Sequence, residues 1–583
     1  MSTNRKFRIV VTICALMAGL SATARAKIIY VDNDAKEPGN GSSWANPYQY
    51  LQAALTAAVA GDEIRVAQGL YRPDQGLSAK RTRGPSGSTP AEVVFQLKNG
   101  VAILGGFAGV GAEDPNARDT QRYETVLSGD LHGNDVDLWG PGNPIYESLR
   151  ADNSIHVVQS IQTDATAVLD GFVIESAADS DFFNQEGSPS IANCVFQKGS
   201  TSNSGGALRC NGGQPTLANC IFQGNSSTNS KGGAIDVWGG RLTLSNCRFL
   251  GNWAWQEGGA ICCTDGDLTL TSCTFEKNAG SLGGAISHVL GTLTLVDCGF
   301  EDNAANIGGA VWFGVEAASL TRCTFTKNWA ATAGGAVNND GGAAPTLDEC
   351  TFTGNAANNG GAIYALRVVA PAAGPGMVLT RCRFSGNRAS STGGALFDDS
   401  SGLTIVGCTF TGNWAQKAGT LGWRYRRTGD AMWQTSVENC VVWDSKGSIS
   451  PVSLPTRSGS YEVKEDVIVR YCDVQGGWPG EGNIDADPRF AAPGRWVDGD
   501  NPEVIVTPSH SNAAWIDGDY HLKSQAGRWD LGGKDWVLDD VTSPCIDAGD
   551  PSTPVADEPT PNGGRINLGT YGGTTEASKS LKQ

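Results

Sequence analysis

A two-part element recurs through the middle of the chain and restricts the fold more than any other feature. It consists of a Gly-Gly-Ala-aliphatic motif that alternates with a Cys-x-Phe-x-x-Asn motif. Successive cysteines from Cys194 to Cys472 are 25 to 32 residues apart. The first part is Gly-Gly-Ala-aliphatic and begins at Gly205, Gly232, Gly258, Gly283, Gly308, Gly334, Gly360 and Gly393, with a decayed copy at 418–421. A unit this short holds about three strands of five residues with their turns, whereas a propeller blade needs about 40 residues.

The segments inside each unit read as β-strands. Leu242-Thr243-Leu244 and its copies at 268–270 and 293–295 alternate apolar and polar residues, as half-buried strands do. Amphipathic helical spacing is missing from the repeat, which excludes leucine-rich, ankyrin and tetratricopeptide solenoids. We therefore predict an all-β fold, a right-handed parallel β-helix in which each repeat forms one coil, with an N-terminal cap that contains a helix and an irregular C-terminal region.

Each recurring residue has a physical reason to recur. The paired glycines supply a position with positive φ and let neighbouring coils approach closely. The phenylalanine and the aliphatic residue are expected to point inward and stack on their copies about 4.8 Å away. The asparagine is expected at a left-handed turn position, with its amide in a hydrogen-bonded ladder.

The cysteine spacing equals the coil length, so we expect most of these residues to be buried inward-facing thiols. Vertical disulfides between coils are the alternative. Cys210, Cys262 and Cys263 lie off the ladder and are candidates for pairing.

The chain divides into four parts by composition. Residues 1–26 combine Arg5, Lys6 and Arg8 with an apolar run and an Ala-x-Ala site, which predicts a secretory signal peptide cleaved after Ala26. Residues 27–185 are assigned to the N-terminal cap and first coils, 186–475 to the repeat-rich β-helix, and 476–583 to a Pro/Gly-rich C-terminal capping region. We expect a secreted, extracellular or cell-envelope protein, monomeric and without a transmembrane segment.

A candidate binding surface follows from the alternation after Gly-Gly-Ala-aliphatic, which turns every second residue outward. Aromatic faces stack on sugars and carboxylates accept hydrogen bonds from hydroxyl groups, so these positions predict a groove for an extracellular polysaccharide or cell-surface glycan. The alternative is that they only cover the coil edge. The net charge of −17 argues against nucleic acid. The predicted carbohydrate-binding residues are Asp236, Trp238, Trp312, Tyr364 and Phe397, and a second possible stripe contains Trp253, Trp255, Trp329 and Trp414.

Asp340, Asp399 and Arg424 are the nearest approach to a catalytic cluster. A lyase would need a base and a cation or positive charge to hold the substrate carboxylate, while a glycosidase would use Asp340 and Asp399 as an acid/base pair. Asp398 is expected to point inward or into a bend, and His288 to be a core histidine. No cofactor is required by this set; calcium is possible at the Asp-Gly-Asp sequences 265–267, 498–500 and 517–519, although solvated turns are favoured there.

With both elements in place, the sequence resembles the polymorphic outer-membrane protein repeat of chlamydiae, which carries Gly-Gly-Ala-Ile and Phe-x-x-Asn signatures, over about residues 190–415. More broadly it resembles the pectate-lyase-like group of secreted β-helix proteins, and the stretch 28–71 is similar to their N-terminal cap. The resemblance implies a protein that displays a carbohydrate- or surface-binding, adhesion-type face. The alternative is a polysaccharide lyase or glycoside hydrolase.

Overall fold

The computed structural model describes residues 26–37, 39–76, 92–135, 150–314, 317–341, 344–366, 376–399, 402–417, 419–424, 434–444, 449–451 and 467–581. Nearly all of its regular structure is β, and the strands form three long parallel sheets that share one interior. The predicted all-β, right-handed parallel β-helix is confirmed. The signal-peptide prediction lies outside the described residues, apart from Ala26.

The largest sheet, here called the wide sheet, has 26 strands. In each coil it contains a front strand, which follows the paired glycines, and a second strand of the Leu-Thr-Leu type; the two merge at Ile235–Ser245 and Ile261–Thr271. Its other strands are Ile28–Val31, Glu63–Ala67, Phe95–Gln96, Ala102–Phe107, Val158–Ile161, Val168–Asp170, Phe182–Gln185, Ser190–Ala192, Leu208–Asn211, Thr216–Ala218, Ile286–His288, Leu293–Val296, Val311–Phe313, Ala318–Thr321, Val337–Asn339, Thr346–Asp348, Ile363–Leu366, Val378–Thr380, Leu396–Asp399, Thr404–Val406, Leu421–Arg424, Thr435–Glu438, Ile449–Pro451 and Val467–Arg470.

The Phe sheet has 14 strands and contains the Cys-x-Phe segments, and the Trp sheet has nine strands between the Asn position and the paired glycines. The Phe sheet consists of Gly69–Tyr71, Thr125–Ser128, Val173–Glu175, Val195–Gln197, Ile221–Gln223, Arg248–Leu250, Thr274–Glu276, Gly299–Glu301, Thr324–Thr326, Thr351–Thr353, Arg383–Ser385, Thr409–Thr411, Val441–Trp443 and Asp473–Val474. The Trp sheet consists of Ser200–Thr201, Ser226–Ser227, Trp253–Ala254, Ala279–Leu282, Ala304–Ile307, Trp329–Ala333, Ala356–Asn359, Arg388–Thr392 and Trp414–Ala415.

The N-terminal cap contains the predicted helix, Leu51–Ala57, whose Leu51, Ala54 and Leu55 are buried. It contacts Ile28–Val31, Glu63–Ala67 and Phe95–Gln96 and so covers the end of the core. A 3₁₀ turn occupies Arg150–Asp152. No helix in the described part of the chain is both long and apolar enough to cross a membrane.

The paired glycines have the two roles that the sequence predicts. The first glycine of each pair has a φ between 61° and 72°, which is the left-handed region that favours glycine. The second glycine lies against the next coil: a Cβ added to Gly309 would be 2.0 Å from the carbonyl oxygen of Gly335. The two glycines of one pair therefore meet different constraints.

The interior columns are regular. Nine phenylalanine rings from Phe196 to Phe410 stack at centroid distances of 4.6 to 4.8 Å. The Phe-x-x-Asn asparagines form the predicted ladder, in which Oδ1 of Asn303 accepts hydrogen bonds from the backbone and the Nδ2 of Asn278. The expected left-handed backbone at these asparagines is wrong. The residue before each of them, such as Gly224 or Lys277, has positive φ instead.

The cysteine ladder is buried, and all 15 cysteines in the described residues are free thiols. The vertical-disulfide alternative is therefore not found there. Cys210 and Cys263 face inward, two coils apart with Val237 between them, and Cys262 faces outward on its strand. The alternation of the strand thus separates the neighbours Cys262 and Cys263, which explains why they do not pair.

The C-terminal region packs along the outside of the last coils. It contains three antiparallel pairs: Phe490–Ala492 with Asp519–Leu522, Arg495–Asp498 with Ala513–Ile516, and Arg528–Asp530 with Asp535–Val537. Trp515 lies over Gly386 and Gly412, and Arg383 of the Phe sheet pairs with Asp517 at 3.1 Å. This region therefore covers the side of the β-helix as well as its end.

Candidate functional site

A continuous column of outward side chains runs along the front strands of the wide sheet, beside the corner made by the paired glycines. We call it the corner column. Backbone register places its members on successive coils. Several are buried although they face away from the core, which means that the corner is concave. The members are Phe183, Arg209, Asp236, Cys262, Ser287, Trp312, Asn338, Tyr364 and Phe397.

The N-terminal part of the corner column, from Arg209 to Cys262, carries a cluster of charged groups, and we call it the lower corner. Lys231 and Glu257 each precede a glycine pair, and their Nζ and Oε2 atoms are 3.0 Å apart. The Cys262 thiol donates to Oε2 of Glu257 at 3.8 Å, and Nη1 of Arg209 lies 3.9 Å from Oδ2 of Asp179. Asp236 lies between Arg209 and Cys262 in the column. Four coils thus contribute ionisable groups to one corner.

Asp236 is the unusual member of this cluster. Its side chain is only 8 % exposed, and no described group donates a hydrogen bond to its carboxylate. Burial is the main cause that raises the pKa of Asp236 to about 6, and the nearby charges of Arg209 and Lys231 oppose that rise. A carboxyl group held without a donor and with this pKa can exchange a proton near neutral pH.

We expect Asp236→Asn to stabilise the protein at about pH 8. The folded pKa lies above the unfolded value, so the free energy of unfolding of the wild type falls as pH rises from about 4 to 6. Asp236→Asn does not undergo this loss, and its advantage at high pH is about 3 kcal/mol, which corresponds to a pKa shift from 3.8 to about 6. Urea unfolding at about pH 4 and pH 8 measures the difference.

The control is Asp267→Asn. Hydrogen bonds from Thr292 lower the pKa of Asp267, so its stabilising contribution exists at high pH and disappears as pH falls. This variant should lose stability at high pH, opposite to Asp236→Asn. A loss of stability for Asp236→Asn at high pH would show that the carboxylate has a structural partner.

Trp238 lies on the same strand as Asp236, two residues further along, and faces the same side. It is 64 % exposed, the most exposed of the predicted binding residues. An indole face of this size next to a carboxyl group provides both contacts that sugar recognition uses, stacking and a hydrogen-bond acceptor. The lower corner therefore combines accessible aromatic surface with ionisable groups.

In the C-terminal part of the column, from Trp312 to Phe397, the predicted site residues contact one another. Burial raises the pKa of the Asp340 carboxyl group, and its interaction with the Trp312 side chain opposes that rise. The Tyr364 hydroxyl donates to Oδ2 of Asp399 at 2.9 Å, and its ring stacks on Phe397 at 5.6 Å. Phe397 and Asp399 are buried, at 3 % and 0 % exposure. The expectation that these two residues offer an open surface is therefore wrong.

The three predicted catalytic residues lie on the same side of the wide sheet, along its front strands, but they do not converge on one site. Asp399 and Arg424 are register partners on adjacent coils, and the Arg424 side chain lies outside the described residues. Asp340 precedes Asp399 by two coils, a separation of roughly 10 Å along the axis. Retaining glycosidases need about 5 Å and inverting ones about 6.5–9.5 Å between carboxyl groups. Catalysis by this set remains a prediction.

Other sequence-based expectations can be placed as well. Asp398 faces inward and accepts hydrogen bonds from Thr435 and the Gly402 amide, as expected. His288 is 2 % exposed with Nε2 3.2 Å from the Gly266 carbonyl oxygen, which fits a core histidine. Asp267 of the first Asp-Gly-Asp sequence contacts Arg241 and Thr292. Over the ranges that the structure describes, no three acidic, histidine or cysteine side chains converge as a metal site.

Lys231 and Glu257 were not predicted as site residues from the sequence. They precede the glycine pair, whereas the predicted outward residues lie on the front strand that follows it. The alternation of side chains along the front strand therefore says nothing about them. A signal did exist, because each stands directly before a Gly-Gly pair. Aligning the coils on that position identifies the residues that face the corner column.

Comparisons with known proteins are consistent with this architecture. A family described as a right handed beta helix region matches residues 160–314 and 308–475, and one described as disaggregatase related matches residues 494–549. No curated protein matches the chain.

Solved structures similar to this chain include the pectate lyase Pel9A, with a TM-score of 0.30 and 13 % identity over 94 % of this chain and 96 % of that one. XylC in complex with xylose has a TM-score of 0.31 and 9 % identity over 85 % and 96 %. A rhamnogalacturonan lyase has a TM-score of 0.25 and 13 % identity over 80 % and 91 %.

Proposed function

The chain belongs to the right-handed β-helix family, and from that premise we propose that it is a secreted or cell-surface protein that binds an extracellular polysaccharide along the corner column. The observation that carries the proposal is the pair formed by Trp238 and Asp236. One offers a free indole face, and the other a carboxyl group without a hydrogen-bond donor. Export is part of the proposal and is supported by the basic and apolar character of residues 1–26.

The physical basis is that a sugar supplies what each residue lacks. The apolar face of a pyranose covers the indole, and a sugar hydroxyl donates to the Asp236 carboxylate. Lys231 and Arg209 carry donors for ring or glycosidic oxygens nearby. Trp312 and Tyr364 lie three and five coils further along the column, so a long polymer would follow the axis of the helix. Such a surface suits adhesion to a glycan.

A second candidate function is cleavage of the bound glycan, because Asp236 and Glu257 place two carboxyl groups in one corner with Lys231 beside them. Asp236, with a pKa of about 6, is suited to act as a general acid, and Glu257 would be the second carboxylate. The set Asp340, Asp399 and Arg424 is the competing location for the same chemistry.

The test is a binding and turnover screen of the purified full chain against uronate-containing and neutral polysaccharides. We expect Trp238→Ala to weaken retention about tenfold, the loss of one aromatic stacking contact, while the control Ile468→Ala, at an exposed position outside the corner column, leaves retention unchanged. Unsaturated product that absorbs in the ultraviolet would identify a lyase, and new reducing ends without it a hydrolase.

Turnover abolished by Asp236→Asn but kept in Asp340→Asn would place catalysis in the lower corner, and the reverse would place it at Asp340. Binding without turnover favours adhesion. Retention that is equal in the wild type and Trp238→Ala for every polymer would reject the corner column as the binding site.

A further inference from the structure

The outer face of the Trp sheet carries tryptophan at every third coil. In register, its first outward column reads Ser200, Ser226, Trp253, Ala279, Ala304, Trp329, Ala356, Arg388 and Trp414. Two coils with only alanine in this column separate Trp253 from Trp329. The large indole side chains therefore project at both ends of a shallow segment formed by the small alanine side chains. We call the tryptophans the walls and the alanines the floor of this surface.

We call this surface the Trp platform and define it by Trp253, Trp329 and the outward residues of the two coils between them, Ala279, Ser281, Ala304 and Asn306. Trp329 is 52 % exposed. The platform continues sideways to Trp255, which is 62 % exposed and contacts Trp253 edge to face at 6.3 Å. Ala254, Ala305 and Ala330 alternate with these residues and are buried, so the platform side chains face solvent.

The floor of the platform also carries hydrogen-bonding groups. Nδ2 of Asn306 donates to the Ser281 hydroxyl at 3.1 Å, and Asn306 is exposed. One amide and one hydroxyl thus stand beside the alanine column, in the space between the two indole walls. An apolar slot with a few polar groups along one side is the usual composition of a small-molecule or glycan site.

The spacing of the walls suits an extended sugar chain. Adjacent coils are separated by about 4.8 Å, so three steps place Trp253 and Trp329 roughly 14 Å apart. One step is close to the length of a pyranose unit in an extended polysaccharide. A chain lying parallel to the helix axis would therefore span the alanine floor with about three units and meet an indole at each end.

Charge narrows the class of ligand. The platform side chains are all uncharged, although the chain as a whole has a net charge of −17. A uronate polymer, a nucleic acid or a basic peptide finds no charge to pair with there. Along the first outward column, the first charged residue is Arg388, whose guanidinium lies 5.5 Å from the Trp414 ring centroid and donates to the His510 carbonyl oxygen, so the C-terminal region borders the platform at that end.

We infer that the Trp platform is a second glycan-binding site, for a neutral, extended polysaccharide, and that it acts independently of the corner column. It lies on a different sheet, uses different residues and lacks ionisable groups. A protein with both sites would bind one polymer along the corner column and another along the Trp platform.

The test uses the full chain and hydroxyethyl cellulose, soluble arabinoxylan and polygalacturonate, with binding measured by affinity gel electrophoresis. We expect one or both neutral polymers to retard the protein. We expect the Trp platform to contribute nothing to any retardation by polygalacturonate. Trp329→Ala and Ala304→Glu should each weaken neutral-polymer binding at least about tenfold, the first by removing a wall and the second by placing a charge on the floor. Ile468→Ala is the control: it removes an exposed apolar side chain from the strand Val467–Arg470 of the wide sheet, outside both sites, and should leave this binding unchanged.

Two results would overturn the inference. The first is failure of the wild type to bind either neutral polymer, or binding that Trp329→Ala and Ala304→Glu both leave intact. The second is concentration-dependent self-association, seen by analytical ultracentrifugation, that Trp329→Ala abolishes, because the platform would then be covered by a second copy. Because Trp329 and Ala304 face solvent, unchanged thermal unfolding of both variants will show that the fold is retained.

Discussion

Asn303→Ala is expected to lower the free energy of unfolding by about 3 to 5 kcal/mol, because it breaks a buried hydrogen-bond ladder in its middle. Asn303 accepts from the backbone and the side chain of Asn278 and donates to Oδ1 of Asn328 and to the Phe275 carbonyl oxygen, at 2.9 to 3.0 Å. Alanine supplies none of these groups. Buried polar atoms of two neighbouring coils would then lose their partners, away from water.

The measurement is urea unfolding followed by far-ultraviolet circular dichroism, with Asn306→Ala as the control. Asn306 lies three residues further along but is exposed on the Trp sheet, so its replacement should change the free energy of unfolding by no more than about 0.5 kcal/mol. Equal effects of the two variants would show that the ladder does not contribute as a buried network.

Gly309→Ala should be at least as disruptive as the loss of a core side chain, about 3 kcal/mol or more. The added Cβ would lie 2.0 Å from the Gly335 carbonyl oxygen and 2.6 Å from that of Trp329. Both contacts are with backbone of the next coil, which cannot rotate away as a side chain can. The coils would have to separate at the corner, and both the interior stacks and the corner column would be displaced.

Gly251→Ala is the matched control. Gly251 also belongs to the repeat and has a φ of 61°, but a Cβ added there meets no atom within 4 Å. Only the left-handed backbone then opposes alanine, at a cost of about 1–2 kcal/mol. Soluble yield and urea unfolding compare the two variants. A Gly309→Ala protein as stable as Gly251→Ala would mean that the coils are not as closely spaced as described.

Much of the fold could be predicted from the sequence because the solenoid repeats a local rule. The phenylalanine, cysteine and asparagine columns follow from a period equal to one coil, and their burial follows from alternation on a strand. Both roles of the paired glycines also follow from their position at the bend. The backbone conformation of the Phe-x-x-Asn asparagine was mispredicted because the ladder, rather than turn propensity, places that residue.

The candidate site was predicted less completely, because accessibility depends on what covers a residue from another part of the coil. Phe397 and Asp399 lie at outward positions, as alternation predicts, yet they are buried. Trp238 occupies an equivalent kind of position and is open. Lys231 and Glu257 reach the column across the glycine corner, which no reading of a single strand includes.

The sequence by itself determined the coil, its inward residues and the glycine corner, since these depend on spacing and on interactions between equivalent positions of neighbouring repeats. Only the tertiary structure decided which outward residues meet solvent and which of them share a column. Coil lengths vary from 25 to 32 residues, so the alignment of Trp253 with Trp329 depends on how each loop returns the chain to the sheet. The packing of Trp515 on Gly386 and Gly412 likewise joins segments without a common period, and such contacts arise from shape complementarity in three dimensions.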